Sequence, residues 1–153
     1  MKTLKDLVDD TLAHIKELFP WDLEERIAEN KDILLIDITE PKEFNTLHIE
    51  GAINVPRGIL EASSDWNYED TLPELASGRD REVVLICRSG NRSALAAFTL
   101  QLMGFKNVTS LKTGLRGWND FELPLVDGEN NPVDVDDADE YFSIGPRPDQ
   151  MEP

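Results

Sequence analysis

Two short apolar runs constrain this chain more than any other feature. "DILLIDI", Asp32 to Ile38, and "EVVLIC", Glu82 to Cys87, are nearly unbroken and rich in isoleucine, leucine and valine. They are too short for a buried helix and lack the alternation of a half-exposed strand. Each therefore predicts a strand covered on both faces, as in a parallel sheet. Helical periodicity follows the second run, from Arg92 to Met103, and stops at Gly104. "NVTSLKTG" reads as a further strand and turn, and Ala52 to Val55 as a brief strand ended by Pro56. Gly58 to Trp66 reads as helical, and "LRGWNDFELPLV" as a short helix running into an extended segment. Strands alternating with helices imply an α/β domain with a mainly parallel sheet.

The two ends of the chain read differently. Leu4, Leu7, Val8, Leu12, Ile15, Leu18 and Phe19 share one helical face, predicting an amphipathic helix over Thr3 to Phe19 that Pro20 stops. A shorter helix follows over Asp22 to Asn30, with Asp22 at its N-cap. From Asp127 onward the chain is rich in acid and proline and reads as a tail with little core of its own, pinned by Tyr141, Phe142 and Ile144. The expected division is an N-terminal helix over 1–20, a central domain over 21–126 and an acidic tail over 127–153.

Composition removes several classes of function. A formal net charge of −16 repels nucleic acid and anionic membranes, so neither is expected as a partner. No apolar run reaches the length of a membrane span, and acidic residues interrupt the N-terminal segment as they would not in a secretory signal. One cysteine and two separated histidines form neither a disulfide nor a recognisable metal set. No metal and no cofactor are expected, and the cytoplasm is the default location. The acid is unevenly spread. Between Arg81 and Trp118 six basic residues face one acidic residue, whereas Asn119 to Pro153 holds eleven acidic residues and one basic.

The only cysteine lies inside that cationic stretch, at the carboxyl end of a predicted strand, where parallel sheets place their ligands. "CRSGNRS" runs from Cys87 to Ser93. Gly90 and Asn91 tolerate positive φ and suit a tight turn. Main-chain N–H groups in such a turn form an anion-binding nest, and the following helix adds its own unpaired N–H groups. Arg88 and Arg92 contribute full charges. Each effect favours a charged sulfur over a neutral one. A cysteine ending an apolar strand is otherwise an inert core residue; two cations within five residues argue against that reading.

These residues resemble the active-site loop of the rhodanese family of single-domain sulfurtransferases. "LLIDITEPKEFNTLHIEGAINVP" is similar to the family's D-V-R-x-x-E-F-x-x-G-H-I-x-G-A-x-N-I-P segment, and "GLRGW", Gly114 to Trp118, to its G-G-x-x-x-W-type turn. The resemblance covers roughly Trp21 to Val126. Thr39 stands where the family commonly has arginine and Leu47 where it has glycine, departures that bear on packing more than on catalysis. The resemblance implies a three-layer α/β/α fold and transfer of a sulfane sulfur from thiosulfate or a persulfide donor. Cys87 would carry the sulfur as a persulfide, cradled by Arg88, Ser89, Gly90, Asn91, Arg92 and Ser93. The acceptor would be a thiol, cyanide or a sulfur-carrier protein.

Other residues have quieter readings. Arg57 and Asp37 are candidates for the pocket rim, with Asp37 read mainly as a buried carboxylate bonded to loop amides. Arg88 is expected at the pocket mouth, where it would attract anionic donors; Arg92 would close the loop, binding donor oxygens or stabilising the ring. His48 is read as structural, since a stabilised sulfur anion needs no base. His14 has no visible partner, and Trp118 is expected to pack beneath the loop. Trp66 and Tyr68 would anchor the middle loop or wall the pocket. Two rival functions share the loop: a persulfide carrier emptied by a protein partner, and a cysteine-dependent phosphatase or arsenate reductase. The latter use C-x5-R, whereas Cys87 to Arg92 is C-x4-R. The sequence leaves the oligomeric state open.

Overall fold

The computed structural model describes all residues from Met1 to Pro153. The first half holds α1 (Leu4–Leu12), β1 (Lys16–Leu18), α2 (Pro20–Glu29), β2 (Leu34–Asp37), α3 (Pro41–Thr46) and β3 (Ile53–Asn54). Two short helices, α4 (Leu60–Ser63) and α5 (Pro73–Ala76), lead to β4 (Glu82–Ile86), α6 (Asn91–Leu102) and β5 (Asn107–Leu111). α7 (Gly114–Asp120) and α8 (Val135–Ser143) follow, with single 3-10 turns at Arg57–Ile59 and Pro148–Gln150. The five strands form one sheet in the order β1-β5-β4-β2-β3, and every neighbouring pair is parallel.

The apolar runs bury both faces because successive side chains leave a strand in opposite directions. Leu34, Ile36, Val83, Leu85 and Val108 face one way and pack with Leu60, Leu75, Ala96, Ala97 and Leu100. Leu35, Val84, Ile86 and Leu111 face the other way and meet Leu23, Leu115, Trp118 and Phe142. The result is the expected three-layer α/β/α arrangement. β2 and β4 run in register from Leu34 opposite Val83 to Asp37 opposite Ile86. That register brings Asp37 and Cys87 to the same carboxyl edge of the sheet.

Both ends differ from their sequence reading. The first helix stops at Leu12, and Lys16–Leu18 is an edge strand paired with Thr109–Leu111. Ile15, Leu18 and Phe19 fit a helical face by spacing, but the open edge of β5 needs main-chain partners, and a three-residue strand supplies them. Pro20 does not stop the first helix; it opens α2, where its missing N–H costs nothing. Asp22 is then the third residue of that helix, and its carboxylate accepts from the Phe19 N–H at 3.1 Å.

The acidic segment carries a helix, α8, that pins it to the domain through Ala138 and Phe142, and the chain from Ser143 to Pro153 is exposed throughout. Val126 exchanges main-chain bonds with His48, and Gly128 donates to Asn45. α8 packs on α7, with Ala138 and Phe142 buried and the Asn119 amide donating to Asp139 at 2.6 Å. Its acids occupy the solvent face, which is why composition hides its apolar stripe. Of the three expected anchors, Phe142 is 5% exposed, Tyr141 is half-buried and Ile144 lies in solvent. Trp66 and Tyr68 are exposed, at 47% and 57%. Phe142→Ala is expected to cost about 3 kcal/mol in urea unfolding; a loss under about 0.5 kcal/mol would show that α8 is peripheral.

Candidate active site

β4 carries Cys87 to the carboxyl edge of the sheet, and the residue is fully buried at 0% exposure. The chain then turns through Arg88 and Ser89 to Gly90, whose φ of +93° makes it the left-handed N-cap of α6. That conformation points main-chain donors at the sulfur. The Gly90 N–H lies 3.1 Å from Sγ and the Ser93 N–H 3.3 Å away. The Ser93 hydroxyl is also 3.3 Å from Sγ. The N–H groups of Arg88, Ser89, Asn91 and Arg92 make no main-chain hydrogen bond, so the loop holds further unpaired donors.

The outer side of the loop is held by α7. The Leu115 N–H donates to the Cys87 carbonyl at 2.9 Å, and the Arg116 N–H to the Arg88 carbonyl at 3.0 Å. Gly114 makes this approach possible. Its φ is +61°, and a Cβ there would lie 2.5 Å from the Cys87 oxygen and the Arg88 carbonyl. The "GLRGW" turn and the "CRSGNRS" loop therefore form one unit. Trp118 is buried below it and donates through Nε1 to the Pro124 carbonyl at 2.9 Å.

The two loop arginines do not face a donor. Arg88, expected at the pocket mouth, turns to α8 instead. Its Nη2 donates to the carbonyls of Tyr141 at 3.3 Å and Phe142 at 3.4 Å. Its guanidinium also lies 4.8 Å and 5.2 Å from the centres of those two rings. The planar cation fits a helix end because it satisfies carbonyls that lack helical partners while stacking on aromatic faces. Arg92 forks onto Glu43 with bonds of 3.0 and 2.8 Å, tying α6 to α3. This contact commits the Arg92 guanidinium to α3.

The other expected rim residues divide. Asp37 is fully buried at the strand edge. Its Oδ1 accepts from the Thr39 N–H at 2.9 Å and from the Thr39 hydroxyl, while Oδ2 has no partner. Arg57 is turned away from the loop, onto Glu61 and onto Thr99, two turns along α6. His48 is locked by its Nδ1 on the Phe44 carbonyl at 2.8 Å and by stacking on the Phe44 ring. Ser89 and Asn91 lie exposed beside a groove of about 210 Å³ that Val8, Leu12, Lys112 and Thr113 also line.

Two site residues escaped the sequence reading. Glu43 stands inside the quoted "EPKEF" segment but receives no role there. Ser110 is a buried hydroxyl that shares its sheet face with Val108, in a strand that also carries Asn107 and Thr109, and the sequence carried no signal for it.

The rhodanese-like domain family model matches residues 20–121, and the chain belongs to that family. It is 31% identical to a sulfurtransferase of Allochromatium vinosum, over 73% of this chain and 95% of that protein. YrkF of Bacillus subtilis, named as a candidate sulfur carrier protein, is 27% identical over 71% of this chain. The chain spans about half of YrkF, 54% of its length. A solved structure from Rhodopseudomonas palustris, described as a protein of unknown function and possible tyrosine phosphatase, superposes with a TM-score of 0.74 at 30% identity. It covers 81% of this chain and 94% of its own. α1, β1 and α8 lie outside the family match.

Charges around the loop shift in opposite senses. The Arg92 hydrogen bonds hold the Glu43 carboxyl below its ordinary range, against the opposing effect of partial burial. Burial pushes the Asp37 carboxyl up, with the Thr39 hydrogen bonds opposing it. A lowered carboxyl contributes stability above its unfolded value and loses it as pH falls through the folded one; a raised carboxyl does the reverse. Glu43→Gln is expected to cost about 1 kcal/mol near neutral pH, because the pair is partly exposed and screened by water. In urea unfolding that difference should shrink once the pH falls below the ordinary glutamate range. A difference that stays constant on acidification would contradict the pairing.

Proposed function

We propose that the protein transfers a sulfane sulfur through a persulfide on Cys87. The observation that carries this reading is the pair of main-chain N–H groups, of Gly90 and Ser93, on one buried sulfur, in a loop whose other amides make no main-chain bond. Preorganised donors of this kind stabilise a charge that resides on sulfur before, during and after transfer. In the first half, the Cys87 sulfur anion attacks the outer sulfur of a small anionic donor such as thiosulfate. A Cys87–sulfur bond forms, the donor's sulfur–sulfur bond breaks, and sulfite leaves with the electron pair. In the second half, an acceptor thiolate or cyanide attacks the terminal sulfur, and the Cys87 anion departs. No external oxidant or proton donor is required in either half.

Within this proposal Gly90 and Ser93 hold Sγ, and the amides of Arg88, Ser89, Asn91 and Arg92 are free for the terminal sulfur. Arg92 keeps the ring closed through Glu43. Arg88 anchors the loop to α8 instead of capturing donors. A lone thiol of this kind suits a reducing compartment such as the cytoplasm.

Two observations favour a carrier variant of the same chemistry. Cys87 is fully buried, and the Arg88 and Arg92 guanidiniums are bonded to protein acceptors rather than held free for an anionic donor. A protein that delivers and removes sulfur at the loop rim, beside the groove at Ser89 and Asn91, would not need a free guanidinium. YrkF, with its sulfur-carrier name, points the same way. The phosphatase reading has the Rhodopseudomonas palustris structure in its favour. Against it, the loop is one residue short of C-x5-R, and the guanidinium that would clamp phosphate forks onto Glu43.

Intact mass after incubation with thiosulfate separates these readings. The protein should gain one sulfur, about 32 Da, removable by cyanide and absent in Cys87→Ser. Repeated turnover with thiosulfate and cyanide marks a transferase, and one equivalent per chain marks a carrier. No gain from thiosulfate or from a persulfide donor, together with Cys87-dependent hydrolysis of an aryl phosphate, would replace this proposal with the phosphatase one.

A further inference from the structure

The sulfur has a side-chain neighbour as well as its amides. The Ser93 hydroxyl lies 3.3 Å from Cys87 Sγ and 2.7 Å from the Ser110 hydroxyl. Ser93 and Ser110 are both 0% exposed. Ser110 projects from β5 on the face that packs against α6, and Ser93 is the only hydrogen-bond partner of its hydroxyl. Three polar atoms therefore form a line: sulfur, Ser93 oxygen, Ser110 oxygen.

Proton counting gives the line a direction. Each hydroxyl has one proton to donate and lone pairs to accept with. A neutral Cys87 thiol donates to Ser93, which passes its own proton toward Ser110. An anionic sulfur or persulfide has no proton, so Ser93 must turn its O–H toward sulfur. The Ser93 oxygen then accepts from Ser110. The pair reverses as the charge on sulfur changes.

We infer that Ser110 is a positioning residue that aims the Ser93 hydroxyl at the Cys87 sulfur. Ser93 sits in the first turns of α6, where a serine hydroxyl otherwise bonds a main-chain carbonyl three or four residues back. A donor at Ser110 occupies the Ser93 oxygen and polarises its O–H, strengthening the bond to sulfur. Ser110 touches no reacting atom and acts only through Ser93. This inference deepens the sulfur-transfer proposal and names a residue outside the cysteine loop on which the sulfur anion depends.

The test uses the single cysteine and does not require that sulfur transfer be correct. Iodoacetamide alkylation of Cys87 is followed by intact mass near neutral pH in the parent protein, Ser110→Ala, Ser93→Ala and the double variant. Thermal melting confirms that each is folded. Ser110→Ala should alkylate about 5-fold more slowly than the parent, the worth of one hydrogen bond between neutral groups. The double variant should match Ser93→Ala, because Ser110 has no route to sulfur without Ser93. An unchanged rate in Ser110→Ala would overturn the inference. So would a slowing by Ser110→Ala that persists undiminished in the Ser93→Ala background. If the parent alkylates with this pattern but gains no sulfur from any donor, the sulfur-transfer proposal fails while the positioning role stands.

Discussion

The site depends on two hydrogen bonds that never touch sulfur. The amides of Leu115 and Arg116 take the Cys87 and Arg88 carbonyls, fixing those peptides with oxygen outward. In a trans peptide the N–H points opposite the carbonyl, so this turns the amides of Arg88 and Ser89 away from α7, while those of Gly90 and Ser93 meet Sγ. Gly114 is essential to the approach, since any Cβ there would occupy the space of the Arg88 carbonyl. Gly90 matters equally on the other side, with φ at +93° and its missing Cβ close to the Thr113 nitrogen. Two glycines, one from each motif, let two main chains pack where side chains would separate them.

That arrangement reassigns the cationic character of the segment. Arg88 and Arg92 together with the lone thiol suggest a pocket charged to collect anions. In the fold, one arginine secures α8 and the other secures α3, and both spend their donors on protein acceptors. The Glu43 hydrogen bonds raise the Arg92 pKa, against the opposing effect of partial burial. The directional bonds of both arginines serve the loop's geometry. In the proposed transfer the main chain would hold the sulfur, with the arginines as struts.

Much of this was legible in the sequence where local signals and tertiary need agreed. The runs at Leu34–Asp37 and Glu82–Ile86 are apolar on both faces because both faces are buried. The helix after the loop and the turn at Gly114 carry equally plain signals, and the "CRSGNRS" pattern located the cysteine loop. The failures share one cause: a partner distant in sequence decided the outcome. Lys16–Leu18 is a strand only because β5 has an open edge. α8 is buried along a stripe of Ala138 and Phe142 that its acids outnumber. The direction of Arg88 depends on carbonyls more than fifty residues away. Ser110 gains its meaning only when β5 is laid beside α6. Thr39, standing where arginine is common in the family, hydrogen-bonds Asp37 and leaves one buried oxygen unpaired.

The most direct measurement is the crystal structure of the protein after treatment with a sulfane-sulfur donor. The account predicts a second sulfur bonded to Cys87 Sγ and lying inside the loop, within hydrogen-bond reach of the amides between Arg88 and Ser93. The Cys87 and Arg88 carbonyls should still be held by Leu115 and Arg116. An added sulfur directed out of the ring, or a loop whose amides turn away from it, would contradict the account.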